Sequence, residues 1–337
     1  MIAARLHGVA DLRVAEEPDP DDPPAGWSLL AVTSVGICGS DLHWFTDGGI
    51  GENRIELPVV PGHEFAATAL TGPYAGRRVA VDPAIPCEFC ESCRAGYKNL
   101  CPAVHFAGHG TLDGALQERL IWPDHLLHLL PEELSDDAGA LLEPLGVAIH
   151  AVALSHVRPG GDVLVVGAGP IGVLALQVAR HSGARRVFVV EPLEHRRGTA
   201  LRHGADGVFG TEEGAAAVLD ATGGRGVDVV IELAGTDAAI ETSVTACRAG
   251  GRVALGGIPS ADLSSFPAAA ARRKGLTFAM VRRMNETYPR AIALAADRID
   301  LDALVSDRYQ LADAAKAFAV AADRRGDKVV ISISASR

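Results

Sequence analysis

The sequence has no run of basic residues. Its 42 acidic side chains outnumber its 31 basic ones, giving a net charge of −11. That balance argues against nucleic acid or an anionic membrane surface as a partner. No stretch of sequence is expected to reach the roughly 20 apolar residues of a membrane span. The first residues lack the apolar core of a secretory signal. Six cysteines in 337 residues are too few for a disulfide scaffold. Together these absences predict a soluble protein of a reducing compartment, the cytoplasm. A 48% hydrophobic and 22% charged composition also excludes a disordered chain. The length exceeds what one core usually supports, so two domains are expected.

Up to about residue 145 the chain is rich in proline, glycine and short β-type runs such as Leu29-Leu30-Ala31-Val32 and Arg78-Val79-Ala80-Val81. This reads as an irregular, mainly β domain. Beyond it, apolar runs at 163–166, 187–190, 227–231 and 252–255 alternate with helical patterns. Ile171, Leu174, Ala175, Val178 and Ala179 fall on one face of a helix. Alternating apolar strands and helices imply a doubly wound α/β domain with a parallel sheet. The final run Val329-Val330-Ile331-Ser332-Ile333 could join either domain.

The first of these strands runs into Gly167-Ala168-Gly169-Pro170-Ile171-Gly172, a GxGxxG turn that opens a helix. Gly167 permits the tight turn, Gly169 lets the backbone approach a pyrophosphate, and Gly172 lets helix and strand pack closely. The helix N-terminus offers free N–H groups to the phosphates. The second strand ends at Glu191, 24 positions after Gly167. A carboxylate there can accept both ribose hydroxyls and repels a 2′-phosphate. The expected cofactor is therefore NAD, although Arg196 and Arg197 follow closely and leave NADP open.

Four of the six cysteines crowd together as Cys87-x2-Cys90-x2-Cys93-x7-Cys101. Four thiolates can close a tetrahedral shell around a structural zinc. An iron–sulfur cluster of the bacterial type has three residues in the last gap, not seven. A second set is scattered: Cys38, His63 with Glu64, and Glu143. One thiolate, one imidazole and a carboxylate suit an open catalytic zinc, while each residue alone has an ordinary packing or surface reading.

With these motifs assembled, the chain resembles the zinc-dependent medium-chain dehydrogenases, in particular the polyol branch typified by sorbitol dehydrogenase. The carriers are residues 36–43, Gly49-Ile50-Gly51, Pro61-Gly62-His63-Glu64, the four cysteines, Glu143-Pro144-Leu145 with Ala148-Ile149-His150-Ala151, and residues 167–172 with Glu191. The resemblance implies a GroES-like catalytic domain from residues 1–147 and 285–337 around a Rossmann cofactor domain, 148–284. It implies two zinc ions per chain, with Cys38 and His63 ligating the catalytic one and either Glu64 or Glu143 joining them. Ser40 and His43 would relay the alcohol proton to solvent, and Asp41 would hold the loop or a ligand. Trp44, Phe106 and Arg282 would meet substrate, and Arg196 the cofactor. Arg283 stands where the family has a tyrosine, and Thr71–Gly76 is a clipped turn. Assembly as a homotetramer or homodimer is implied as well.

The activity expected is oxidation of a polyol's secondary alcohol to a ketone. Threonine, a sugar acid of the idonate kind or a small diol are alternative substrates. A non-catalytic dinucleotide-binding protein would have no need of Cys38, Ser40, His63, Glu64 and Glu143 together. Cys247 falls in a helical pattern and reads as a buried, inert thiol.

Overall fold

A computed structural model describes residues 1–333 apart from residues 52, 55–57 and 260. The last four residues of the expected 285–337 segment thus lie outside the described residues. Residues 1–146 with 285–337 form one compact unit, and residues 147–284 a second.

The first unit is built on a mostly antiparallel sheet. Its central strand, Trp27–Gly36, alternates partly and fully buried residues until its fully buried end. It pairs with Glu64–Ala69 on one side and Lys328–Ser332 on the other. The C-terminal apolar run therefore closes the N-terminal sheet, because Val330 and Ile331 find buried partners there. Arg78–Val81 and Leu127–Leu129 extend the sheet on one side, and Val305–Gln310 on the other. The clipped turn is held where Gly76 N donates to Ala69 O at 2.8 Å.

The second unit is a six-stranded sheet in the order Gly207–Phe209, Arg186–Val190, Asp162–Val166, Val227–Glu232, Cys247–Leu255, Thr277–Met280. Every pair in it is parallel. All five residues of Asp162–Val166 are buried, as a strand covered by helices on both faces requires. The order places the first strand beside the topological switch point, the Rossmann arrangement.

Two expectations need correction. Cys247 does not lie in a helix: helix Asp237–Ala246 ends just before it, and Cys247 opens a strand. It is fully buried, and burial pushes its thiol up to about 11, so it is unreactive. One stretch does reach membrane-span length, helix Asp136–Ser155 with 20 residues. It was obscured in the sequence by Asp136, Asp137 and Glu143 and by Pro144 within it. Of its most apolar window, 78% is buried inside the protein, which is how a core helix behaves.

Candidate active site

Cys38 sits at the junction where the central strand gives way to helix Gly39–Asp47. Asp41, in the first turn of that helix, is 1% exposed. Its Oδ2 accepts from the Cys38 backbone N–H at 3.0 Å and its Oδ1 from Gly62 N–H at 3.4 Å. The same Oδ1 lies 3.3 Å from His63 Nδ1. One carboxylate thus ties together the Cys38 turn and the loop before Glu64–Ala69, and it orients the imidazole so that Nε2 is left for another partner. Burial alone would raise Asp41, but His63 and the Cys38 amide outweigh it and hold the carboxyl below its ordinary value. Burial would lower His63, but Asp41 and Cys38 hold the imidazole well above its ordinary value.

Glu64, directly after His63, is buried and points a carboxylate oxygen into the same space. The Cys38, His63 and Glu64 donor atoms all lie within 4.8 Å of one another. One sulfur, one nitrogen and one oxygen at that spacing match an open zinc site with room for a fourth group. Glu64 Oε2 also pairs with Lys328 Nζ, which donates to Ile37 O at 2.9 Å as well. Lys328 is almost wholly buried. A buried ammonium needs such partners, because leaving one unpaired costs on the order of several kcal/mol. Sequence reasoning did not single out Lys328. A lysine opening an otherwise apolar strand was the available signal, but it reads first as a charged flank.

Glu143 lies in the middle of helix Asp136–Ser155 and is 4% exposed. Its donor atom is not part of the three-residue cluster. Burial pushes its carboxyl up; His63 and Lys328 pull it down, Glu64 and Asp82 push it further up, and the balance is about 8. Glu143 therefore feels the cluster electrostatically, and burial is the main cause that raises its carboxyl.

Around these groups, Ser40 Oγ lies 3.5 Å from His63 Nε2. His43 Nδ1 meets Asp47 Oδ2 at 2.9 Å and is half-buried. Phe106 tilts against the His63 ring with centroids 5.2 Å apart. Trp44 is buried in the apolar core and meets His109 edge-on at 5.1 Å. Arg282 is exposed in the segment after Thr277–Met280 and belongs to the second unit.

The four remaining thiols converge as a group. Cys87, Cys90, Cys93 and Cys101 place their sulfurs within 4.8 Å of one another, with Cys87 to Cys93 and Cys90 to Cys101 at 4.0 Å. Backbone N–H groups of Cys87 and Cys93 donate to the Cys101 and Cys90 sulfurs, each at 3.4 Å. N–H donation of this kind favours thiolate. Four sulfurs, with no other donor grouped with them among the described residues, suit a closed zinc shell.

In the second unit, Gly167 takes φ 98°, open to glycine at low cost. A Cβ at Gly172 would collide with the Gly167 carbonyl, so the helix packs tightly under the turn. Helix Pro170–His181 starts at Gly169 with Pro170 in its first turn and no side-chain cap. Its leading N–H groups are left for a ligand, followed by Ile171. Glu191 is buried. Its Oε2 accepts from Ala168 N–H at 2.7 Å and its Oε1 from Leu193 N–H at 3.0 Å, fixing the carboxylate beside the glycine turn. Arg197 is committed to the backbone, donating to Glu191 O and Pro192 O at 2.8 and 2.6 Å. Arg196 Nη1 stands 3.8 Å from where a Gly169 Cβ would be. Glu232 was missed by sequence reasoning: it is buried at a strand end and accepts from Ala234 and Gly235 N–H, both at 2.7 Å.

Two family models match: "Zinc-binding dehydrogenase" over residues 170–297 and "Alcohol dehydrogenase GroES-like domain" over residues 24–132. The chain is 35% identical to the protein named sorbitol dehydrogenase of Bacillus subtilis, over 92% of this chain and 90% of that one. It is 34% identical to the protein named "Probable D-xylulose reductase A" of Neosartorya fischeri, over 97% and 95%. It superposes with a TM-score of 0.92 on an Escherichia coli oxidoreductase/dehydrogenase of unknown specificity, at 30% identity and over 99% of both chains.

Proposed function

Because the chain belongs to the zinc-dependent medium-chain alcohol dehydrogenase family and is an oxidoreductase acting on CH–OH groups, we propose that its substrate is a vicinal diol of the pentitol or hexitol kind, oxidised to the ketone with NAD. The observation that carries this reading is the convergence of the Cys38, His63 and Glu64 donors within 4.8 Å. The names of the two curated relatives support a polyol.

In this reading Cys38, His63 and Glu64 hold one zinc, and Cys87, Cys90, Cys93 and Cys101 hold another. Glu143 is the carboxylate standing by. A zinc held by Cys38, His63 and Glu64 would supply Lewis-acid polarisation of the substrate hydroxyl, and bound NAD would supply the hydride acceptor. Asp41 Oδ1 keeps His63 in the tautomer that presents Nε2. Ser40 Oγ takes the hydroxyl proton, and His43, half-exposed and steadied by Asp47, passes it to solvent. Lys328 Nζ holds Glu64 by one oxygen and compensates its buried charge. Phe106 covers the His63 ring and excludes water from that side. The second unit, with Gly167, Gly169, Pro170, Ile171 and Gly172 at the pyrophosphate, Arg196 beside it and Glu191 at the ribose, carries NAD. The first unit is the catalytic one. All six cysteines are free, which supports a cytoplasmic location. A homodimer or homotetramer rests on the family resemblance.

Glu191→Ala tests the cofactor side, with a screen of polyols, threonine and sugar acids against NAD and NADP as the assay. Hydrogen bonds to a charged carboxylate contribute about 1.5–3 kcal/mol. NAD affinity is therefore expected to fall at least about tenfold, with NADP use unchanged or improved. An unaltered NAD-to-NADP preference removes the ribose role.

A further inference from the structure

A hollow of about 790 Å³ opens at the amino ends of the parallel strands in the second unit. The Gly167 turn lies at their carboxyl ends, so this hollow is separate from the dinucleotide site. Arg158, Arg185, Arg186, Arg225, Arg248 and Arg252 line it. The acidic residues in its wall are Asp162 and Asp228.

Those two carboxylates are fully engaged. Asp162 receives Arg185 through Nε and Nη2 at 3.0 and 2.7 Å, and Arg186 through Nε and Nη2 at 3.2 and 2.7 Å. Asp228 receives Arg225 Nη2 at 2.6 Å, Arg248 Nε at 2.7 Å and the Asp162 backbone N–H at 3.0 Å. Six arginines against two aspartates give this lining an excess of four positive charges, with Asp206 acting on Arg186 from outside it. The Arg158 side chain is exposed and has no hydrogen-bond or ion-pair partner among the described residues. Arg252 spends only Nε, on Leu154 O at 2.6 Å.

A network serving stability alone would balance its charges, since unpaired like charges in one wall repel each other. The excess is also opposite in sign to the chain's net −11, so it is not an average of a basic surface. Four of the arginines are fixed by their aspartates, and Arg186 Nη1 and Arg248 Nη1 also donate to Ala221 O and Ala249 O at 2.8 and 2.7 Å, so their guanidinium planes are held preorganised. Planar guanidinium forks match phosphate oxygens. The volume suits a small ligand, and the chain's overall negative charge disfavours a polyanionic polymer.

We propose that this hollow binds a small phosphorylated anion carrying more than one phosphate charge, at a site distinct from the cofactor's. The test is calorimetric titration of sodium pyrophosphate into zinc-loaded protein saturated with NAD, at constant ionic strength. Bound NAD blocks the Gly167 turn, so the heat reports the hollow. The expected result is one pyrophosphate per chain, bound at least tenfold more tightly than orthophosphate. Arg158→Glu with Arg185→Gln leaves Asp162 paired to Arg186 and should weaken pyrophosphate at least tenfold without changing NAD affinity. If that double variant does not fold, Arg158→Gln alone should weaken it at least threefold. Three results overturn the proposal: no pyrophosphate binding beside NAD, binding unchanged in the variants, or a single-stranded oligonucleotide binding more tightly than pyrophosphate.

Discussion

Replacing Cys38 by alanine is expected to lower turnover by at least about 10³-fold. A Lewis-acid metal contributes several kcal/mol to the barrier, and each ~1.4 kcal/mol is tenfold in rate. The fold should survive. Cys38 is only partly buried, and its backbone N–H, which donates to Asp41 Oδ2 at the turn, is retained in the variant. NAD affinity should also survive, because the glycine turn and Glu191 belong to the other compact unit. Circular dichroism and NAD titration of the variant separate the two effects. A variant that turns over at the parent rate removes Cys38 from the metal shell.

The second large effect concerns the cysteine lobe. Between Cys87 and Cys101 the chain has one short helix, Glu91–Arg94, and a single 3-10 turn, Lys98–Leu100. Its larger apolar side chains face outward: Phe89 is 69% exposed, Tyr97 57% and Leu100 48%. The segment therefore has almost no core of its own, and the four sulfurs must hold it. Structural zinc binding is worth roughly 10–16 kcal/mol in small zinc-finger peptides. Cys93→Ser should accordingly release one zinc and open the lobe. Amide exchange across residues 87–101 should speed up at least about 100-fold, equivalent to under 3 kcal/mol of lost local stability. Exchange in the parallel sheet should be unaffected, since none of the four cysteines belongs to that unit. Unchanged protection of the lobe would mean that its fold does not depend on metal.

These features differ in how far the sequence reveals them. The glycine turn and the four cysteines are contiguous motifs whose chemistry lies in their spacing, so the sequence alone is enough to read them. Apolar runs at 163–166 and 187–190 likewise announce buried parallel strands. The Cys38, His63 and Glu64 cluster is different. Its members are brought together by one strand pairing, Trp27–Gly36 with Glu64–Ala69, and by Asp41, and neither leaves a periodic trace. Resemblance to a known family supplied what spacing could not. Lys328 was hidden because its buried environment is created by a strand returning from the far end of the chain. The arginine hollow was hidden for a similar reason: its residues come from separate segments between Ser155 and Thr277. Helix Asp136–Ser155 was obscured by an internal proline and three acids, two of which, Asp136 and Asp137, only mark its first turn.

The most direct test of the two-zinc account is the metal content of the purified chain and of its Cys38→Ala and Cys93→Ser variants. Two zinc ions per chain are predicted for the parent and one for each variant. One zinc or none in the parent, or two retained by Cys38→Ala, would contradict it.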